Sequence, residues 1–323
     1  MEYLKFIKNP AIKNFLWEVK KGLLYFKTKE KKTTYGNANP DKRFYVIAIH
    51  WTIPAGLFAV LKDVLAHIEY ARDRNMIPVI NMQKSVNAAA FQGFSTTEEP
   101  WEMLFEQPMS YTLGDIKDSK NITLSRKDPH PKGDYVLKIN IMEDAKRLLT
   151  ANKAFREYIR PNPQTQAFLD SEYAKVIGTQ KRVLGVLCRG TDYTLKKPKF
   201  HPIQPEPSEM IEKADEVMKQ FNCDKIFLAT EDQAAYELFK DHFGDKLLFN
   251  NYKKFTSKDL EDVKYISQIE YDHLQQQREY LSSINILSKC CCFIGGRTGG
   301  TIGVYLMKGG NFEYDYTWNI GCY

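Results

Sequence analysis

Three short polar segments each close an apolar run, and each carries groups that bind or move charge. Arg189-Gly190-Thr191-Asp192-Tyr193 follows "RVLGVLC", Thr230-Glu231-Asp232 closes "KIFLATED", and Gly295-Gly296-Arg297-Thr298-Gly299-Gly300-Thr301 precedes the helical stretch "IGVYLMKG". Glycines let backbone N–H groups approach an anion, and a helix N-terminus adds the positive end of its dipole. Arg189 and Arg297 each offer a planar fork to phosphate oxygens, through charge-assisted bonds worth roughly 1.5–3 kcal/mol each. Taken singly the pieces are ordinary, since Glu231 and Asp232 also suit capping of the helix "QAAYELF" that follows them. Together, on one sheet edge, they favour a diphosphate-nucleotide site. No GxxxxGK[ST] segment occurs and no GxGxxG follows the first strand, which excludes a Walker A site and weakens a dinucleotide-dehydrogenase reading.

That shared edge requires parallel strands, because their carboxyl ends then lie side by side however distant they are in sequence. The second half alternates accordingly: "RVLGVLC" strand, "PSEMIEKADEVMKQFN" helix, "KIFLATED" strand, "QAAYELFKDHFG" helix, "KLLFNN" strand, "HLQQQREYLSSINILSKC" helix, "CCFIGG" strand, "TIGVYLMKG" helix. The first half opens the same way, with a strand at 44–50, a loop "WTIPAG", a helix through "LFAVLKDVLAHIEYARDRN" and a strand "MIPVIN". Gly56, His50 and Trp51 fall at such a strand end. "FSTTEEPWEMLFEQP" reads as a short helix on a long loop and "YVLKINIME" as a further strand. The helical stretch after it breaks at Pro161 and Pro163. These patterns predict an N-terminal arm at 1–43, an α/β domain at 44–175 and a second at 176–323.

A chain of 323 residues suits two domains of about 150 each. Hydrophobic content of 43%, a charged fraction of 27% and a mean hydropathy of -0.46 describe a globular protein and argue against a membrane-embedded one. The formal charge of +6 is concentrated in residues 1–32, where lysines interleave with Leu4, Phe6, Phe15, Trp17, Leu23 and Phe26. Such a basic amphipathic helix either lies on an anionic membrane surface or packs on its own domain with a solvated lysine face. No stretch approaches the roughly 20 apolar residues of a membrane span and no signal-peptide core is visible, so the expectation is a cytoplasmic protein, with peripheral contact at the inner membrane face through residues 1–32. Nucleic-acid binding is not expected, because the basic arm is confined and no stacking motif accompanies it. Of six cysteines, Cys290, Cys291 and Cys292 are consecutive; neighbours on a strand point to opposite faces, and no CxxC or Cys/His ligand spacing occurs. They read as small buried hydrophobes in a reducing compartment, with no metal site.

In that order, "GVLCRGTDYTLKKPKFHP", "KIFLATED" and "LSSINILSKCCCFIGGRTGG" resemble the donor half of the GDP-fucose-dependent fucosyltransferase superfamily, especially the α1,6-fucosyltransferases and nodulation fucosyltransferases. The resemblance covers about residues 183–305. It implies a GT-B architecture, two Rossmann-like domains facing across a cleft, with the nucleotide sugar on the second and a glycan acceptor on the first. It further implies that Arg189 clamps the donor diphosphate, that Thr298 and its neighbours Gly296, Arg297, Gly299, Gly300 and Thr301 bind phosphate, and that Glu231 and Asp232 shape the donor pocket beside Gly190 and Thr191. His201, in "FHP", contacts the donor or caps the following turn. No cofactor or metal is required, since arginine replaces the cation. The pattern departs from the family at Leu187 and Ser283, where guanine-reading histidine and aspartate stand, and at Gly190, Tyr193 and Lys197. The expected function is a metal-independent inverting glycosyltransferase. Its donor is GDP-fucose or another nucleotide sugar; a non-catalytic nucleotide- or glycan-binding module is the alternative. Asp192 is either a base or a ligand to backbone or to Arg189, and His50, Glu99 and Glu102 are candidate contributors from the acceptor side.

Overall fold

The computed structural model describes residues 29–49, 56–83, 99–125, 130–261 and 272–323, together with Ile12. The apolar run Phe44–Ile47 forms strand β2, with all four residues buried, as befits a parallel strand covered on both faces. It pairs in parallel with β3 (Ile77–Ile80) and β4 (Ile122–Leu124), and β4 pairs antiparallel with β1 (Lys31–Thr33), giving the order β1-β4-β2-β3. Helix α1 (Leu57–Arg72) connects β2 to β3 and buries most of its length, Asp63 and His67 included.

Helices α2 (Ala145–Tyr158) and α3 (Pro163–Val176) are separated at the expected proline break. Pro163 occupies the first turn of α3, where its missing N–H is harmless, and the Asn162 side chain caps the helix by accepting from the Thr165 N–H at 2.8 Å. The second sheet then contains β5 (Val183–Leu187), β6 (Lys225–Ala229), β7 (Leu247–Phe249), β8 (Cys292–Gly296) and β9 (Tyr314–Trp318) in the order β7-β6-β5-β8-β9, all parallel. Helices α4 (Pro207–Gln220), α5 (Gln233–Phe243), α6 (His273–Lys289) and α7 (Gly299–Met307) connect these strands or flank them. The molecule is therefore α/β with one mixed and one parallel sheet.

One apolar cluster joins the two halves: Phe58 and Leu61 of α1, Phe155 of α2, Leu169 of α3, Ile284 and Leu287 of α6, and Ile302 and Val304 of α7 all belong to it. Close approach of α1 to α7 rests on Gly303, where a Cβ would lie 2.3 Å from the Phe58 ring. The C-terminal carbonyls of α7, which no helical N–H reaches, meet Asn152 of α2 instead: its Nδ2 donates towards Tyr305 O at 2.8 Å, Leu306 O at 3.0 Å and Lys308 O at 2.8 Å.

Three expectations need correction or restriction. The stretch 135–143 is not a strand: Leu137 and Ile141 enter the core, but the backbone runs irregularly into a 3-10 turn at Ile141–Glu143, and the Tyr135 carbonyl accepts from the Arg147 guanidinium at 2.7 Å rather than from a neighbouring strand. Lys31 and Lys32, counted with the helical arm, belong to β1. The remainder of that arm, apart from Ile12, and His50 and Trp51 lie outside the described residues.

The Gly303–Phe58 contact predicts that Gly303→Ala destabilises the protein by about 1–3 kcal/mol, the usual cost of overpacking a filled core. Urea denaturation followed by circular dichroism measures this. An unchanged midpoint would mean that α1 is not held against α7 at this point.

Candidate functional site

From β5 the chain adds β6 and β7 on one side and then β8 and β9 on the other, so the strand order reverses between β5 and β8. Ligands of open α/β sheets bind in the crevice outside the carboxyl ends at such a reversal. Arg189 follows β5, and Gly296, Arg297 and Thr298 sit at the end of β8, so each of the two strands at the reversal leads into a turn that carries an arginine.

The turn after β5 is held by its other neighbour, β6. Arg189 Nη1 lies 2.9 Å from Glu231 Oε1, and the same oxygen accepts from the Gly190 N–H at 3.1 Å and from Thr191 Oγ1 at 2.9 Å. Asp232 accepts the Thr191 N–H at 3.0 Å through Oδ2, while Oδ1 caps α5 by accepting from the Ala235 N–H at 3.0 Å. Glu231 and Asp232 thus act on the Arg189 turn and Asp232 also caps the following helix. Gly190 has no room for a side chain, since a Cβ there would sit 2.5 Å from Asp232 Oδ2. Thr191, almost fully buried, has φ 50° and ψ -115°, a conformation that costs a β-branched residue about 1–3 kcal/mol and that such turns retain when surrounding contacts enforce it. The side chain of Asp192 lies outside the described residues.

Farther along, the Arg189 guanidinium stacks over the Tyr193 ring, 5.1 Å from its centroid, and Tyr193 meets His201 edge-on at 5.3 Å. His201 Nδ1 is 3.2 Å from Lys199 O, within the same turn. Lys197 has left-handed backbone angles and is exposed.

Across the crevice the β8 loop makes a different set of contacts. Arg297 Nη2 reaches Glu143 Oε1 at 2.5 Å, an ion pair between the two halves, and this pairing lowers the Glu143 pKa. Thr298 Oγ1 accepts the Thr301 N–H at 3.2 Å, capping α7, and Thr301 Oγ1 donates to Gly296 O. Gly300 admits the Tyr280 hydroxyl, which a Cβ would meet at 2.4 Å, whereas Gly299 faces α1 at ordinary contact distance. Gly296 admits Gln204: its Oε1 would lie 2.1 Å from a Cβ there. That oxygen is buried and has no hydrogen-bond partner among the described residues, while the Nε2 of the same amide donates to Arg297 O at 3.2 Å.

Neither Gln204 nor Glu143 stood out in the sequence: Gln204 sits in a loop and Glu143 at the end of a stretch read as a strand, and only their contacts with the β8 turn give them a role. Leu187, the last residue of β5, packs against Gly295 and Gly300. Ser283 Oγ donates towards Asn250 Oδ1 at 3.3 Å, beyond β7 on the same sheet edge, where Asn250 and Tyr252 both reach the Glu172 carboxylate.

On the first sheet, Glu99 lies at the carboxyl end of β3. Its Oε1 accepts from the Met82 N–H at 2.6 Å and the Trp101 N–H at 3.4 Å, and its buried Oε2 has no hydrogen-bond partner among the described residues. Burial raises its pKa to about 7, against the opposing pull of the Met82 N–H. Glu102 accepts from Gln107 Nε2 at 2.9 Å, fastening the same loop.

No family model matches the chain, and no curated protein sequence matches it. Among solved structures it is similar to fucosyltransferase NodZ from Bradyrhizobium, at 14% identity and a TM-score of 0.48 over 82% of this chain and 94% of that one. It is also similar to a mutant of Arabidopsis thaliana FUT1 in complex with GDP, at 8% identity and a TM-score of 0.49 over 86% of this chain and 70% of that one. A third, POFUT1 in complex with GDP, shares 11% identity with a TM-score of 0.45 over 87% of this chain and 99% of that one. Structural similarity to fucosyltransferases therefore extends over most of the chain.

Glu99 makes stability pH-dependent. The folded protein keeps its proton up to about pH 7, whereas an unfolded carboxyl releases it near its ordinary value of 4.5. Between those values the folded state binds more protons, so this contribution to stability is complete below pH 4.5 and falls as pH rises through 7. Glu99→Gln should remove the decline, leaving the variant more stable than the wild type at pH 8 by up to about 3 kcal/mol and nearly equal to it at pH 4.5. Chemical denaturation at the two pH values tests this; an equal loss at both would contradict it.

Proposed function

We propose that the protein is a GT-B glycosyltransferase that moves a sugar from a nucleoside diphosphate to a glycan or lipid-linked polysaccharide acceptor with inversion at the anomeric carbon, GDP-fucose being the leading donor. What supports this reading is the Arg189–Glu231 pair beside the strained Thr191, at the strand-order reversal of a parallel sheet. A guanidinium carries five donors, so an ion pair through Nη1 and a bond to a phosphate oxygen are compatible. The pair orients Arg189 before any ligand arrives, which removes much of the entropic cost of a clamp.

In the proposed reaction the acceptor oxygen attacks the anomeric carbon, the bond to the diphosphate oxygen breaks, and its electron pair leaves with the diphosphate. Arg189, assisted by Arg297 and the N-terminal end of α7, stabilises that developing charge in the role a divalent cation plays elsewhere. The acceptor proton passes to a base. Glu99 is the candidate on the acceptor side, since a carboxyl titrating near neutrality combines a deprotonated population with real proton affinity; its buried oxygens have to be uncovered for an acceptor hydroxyl to reach them. Leu187 and Ser283 take the places of the family's guanine-reading pair, so a guanine donor would have to be read by other residues.

Thermal stabilisation by GDP, UDP, dTDP, CDP and ADP identifies the nucleotide; a ligand at about 100 times its Kd adds roughly 2.7 kcal/mol. GDP should act selectively. Arg189→Ala should lower kcat for transfer or donor hydrolysis by about 100- to 1000-fold. With Glu99 as base, kcat/KM should rise with pH through about 7, and Glu99→Gln should abolish that limb. Selective stabilisation by another nucleotide would replace the donor, and binding without turnover on any sugar nucleotide would make this a binding module.

A further inference from the structure

At the opposite, amino edge of the second sheet three thiols converge. Cys223 precedes β6, Cys291 precedes β8 and Cys292 begins it; their sulfur atoms all lie within 4.8 Å of one another, with Cys223 Sγ and Cys291 Sγ 3.7 Å apart. Cys223 and Cys292 are buried, and Cys291 is half-buried, which leaves the cluster an opening. A metal–thiolate bond of about 2.3 Å places trigonally or tetrahedrally arranged sulfurs roughly 3.8–4.0 Å apart, so these atoms need little movement to share one ion.

The segments that carry them are fastened. The Cys291 N–H donates to Val183 O at 3.1 Å, the Asp224 N–H to Arg182 O at 2.9 Å, and the Glu313 N–H to Cys291 O at 2.9 Å. Arg182 also ties the loop before Cys223 to β9, donating to Phe221 O at 2.5 Å and Asn222 O at 3.1 Å while pairing with Glu313 Oε2 at 2.7 Å. Two cysteines would suffice for a disulfide; the third sulfur is what a metal requires.

We propose that Cys223, Cys291 and Cys292 form a thiolate site for one closed-shell d10 cation of the zinc and copper(I) class. Soft sulfur ligands select such ions, and the partial exposure at Cys291 leaves a position for water where the ion takes a fourth ligand. Binding releases the thiol protons to solvent and forms three sulfur–metal bonds, with no change of oxidation state. The site is independent of the proposed transferase activity, since it sits on the far edge of the sheet from Arg189. Its role is to tie β6 to β8 in the central sheet.

The test is a titration of the reduced full-length chain with cadmium(II), read by the thiolate-to-cadmium charge-transfer absorbance and by protection of thiols from alkylation. One cadmium per chain with three protected thiols is expected, lost in Cys223→Ser and in Cys291→Ser but kept in Cys290→Ser. Far-ultraviolet circular dichroism of each variant establishes that it folds, and competition with zinc and copper(I) names the preferred ion. Absence of the band, or its persistence unchanged in a folded Cys223→Ser protein, would overturn the proposal. So would a Cys223–Cys291 disulfide that forms by exchange with oxidised glutathione and persists in an excess of reduced glutathione, which would make the pair a redox couple.

Discussion

Two carboxylates at the end of β6 hold the turn that ends β5, and the polar edge of the second sheet is arranged around that contact. Glu231 takes the Gly190 N–H, the Thr191 hydroxyl and one guanidinium nitrogen of Arg189, while Asp232 takes the Thr191 N–H. Buried N–H groups must find acceptors, and ionised acceptors make the stronger bonds. Those bonds offset the strain at Thr191 and make glycine the only residue that fits at 190. The parallel register, with Leu187 opposite Ala229, is what brings the two strand ends to the same level. Arg189 is consequently oriented by the sheet itself and not by a ligand.

The other side of the crevice depends on the packing between the halves. Helix α7 begins at the β8 loop, presents Gly303 to Phe58 of α1, and ends on Asn152 of α2. Arg297, at the start of that loop, crosses to Glu143. One short helix therefore serves both as the wall of the candidate site and as the seam of the molecule. The Arg297–Glu143 pair ties the placement of this guanidinium to the way the two halves meet. The thiol cluster lies at the opposite, amino edge of the same sheet, apart from this linkage.

Much of the scaffold was legible because the signals are local. Continuous apolar runs marked β2, β3, β5, β6 and β8, the prolines marked the break before α3, and Asp232 stood where a helix cap belongs. Two of the four edge strands were not legible: β1 carries exposed lysines and β9 exposed residues at Asp315 and Tyr316, so neither shows an apolar run. Tyr135–Ile141 erred the other way, since its apolar residues enter the core without their backbone joining a ladder.

The sequence by itself determined which strand ends carry charge and which loops carry glycine, because strand period, turn chemistry and capping act within a few residues. Tertiary structure alone decided the partners. Glu231 lies 41 positions from Gly190, Glu143 lies 154 from Arg297, and Cys223 lies 68 from Cys291. Such pairs come into contact through strand order, register and helix crossing, which depend on the burial of the whole apolar surface at once and leave no mark in any short window of the chain.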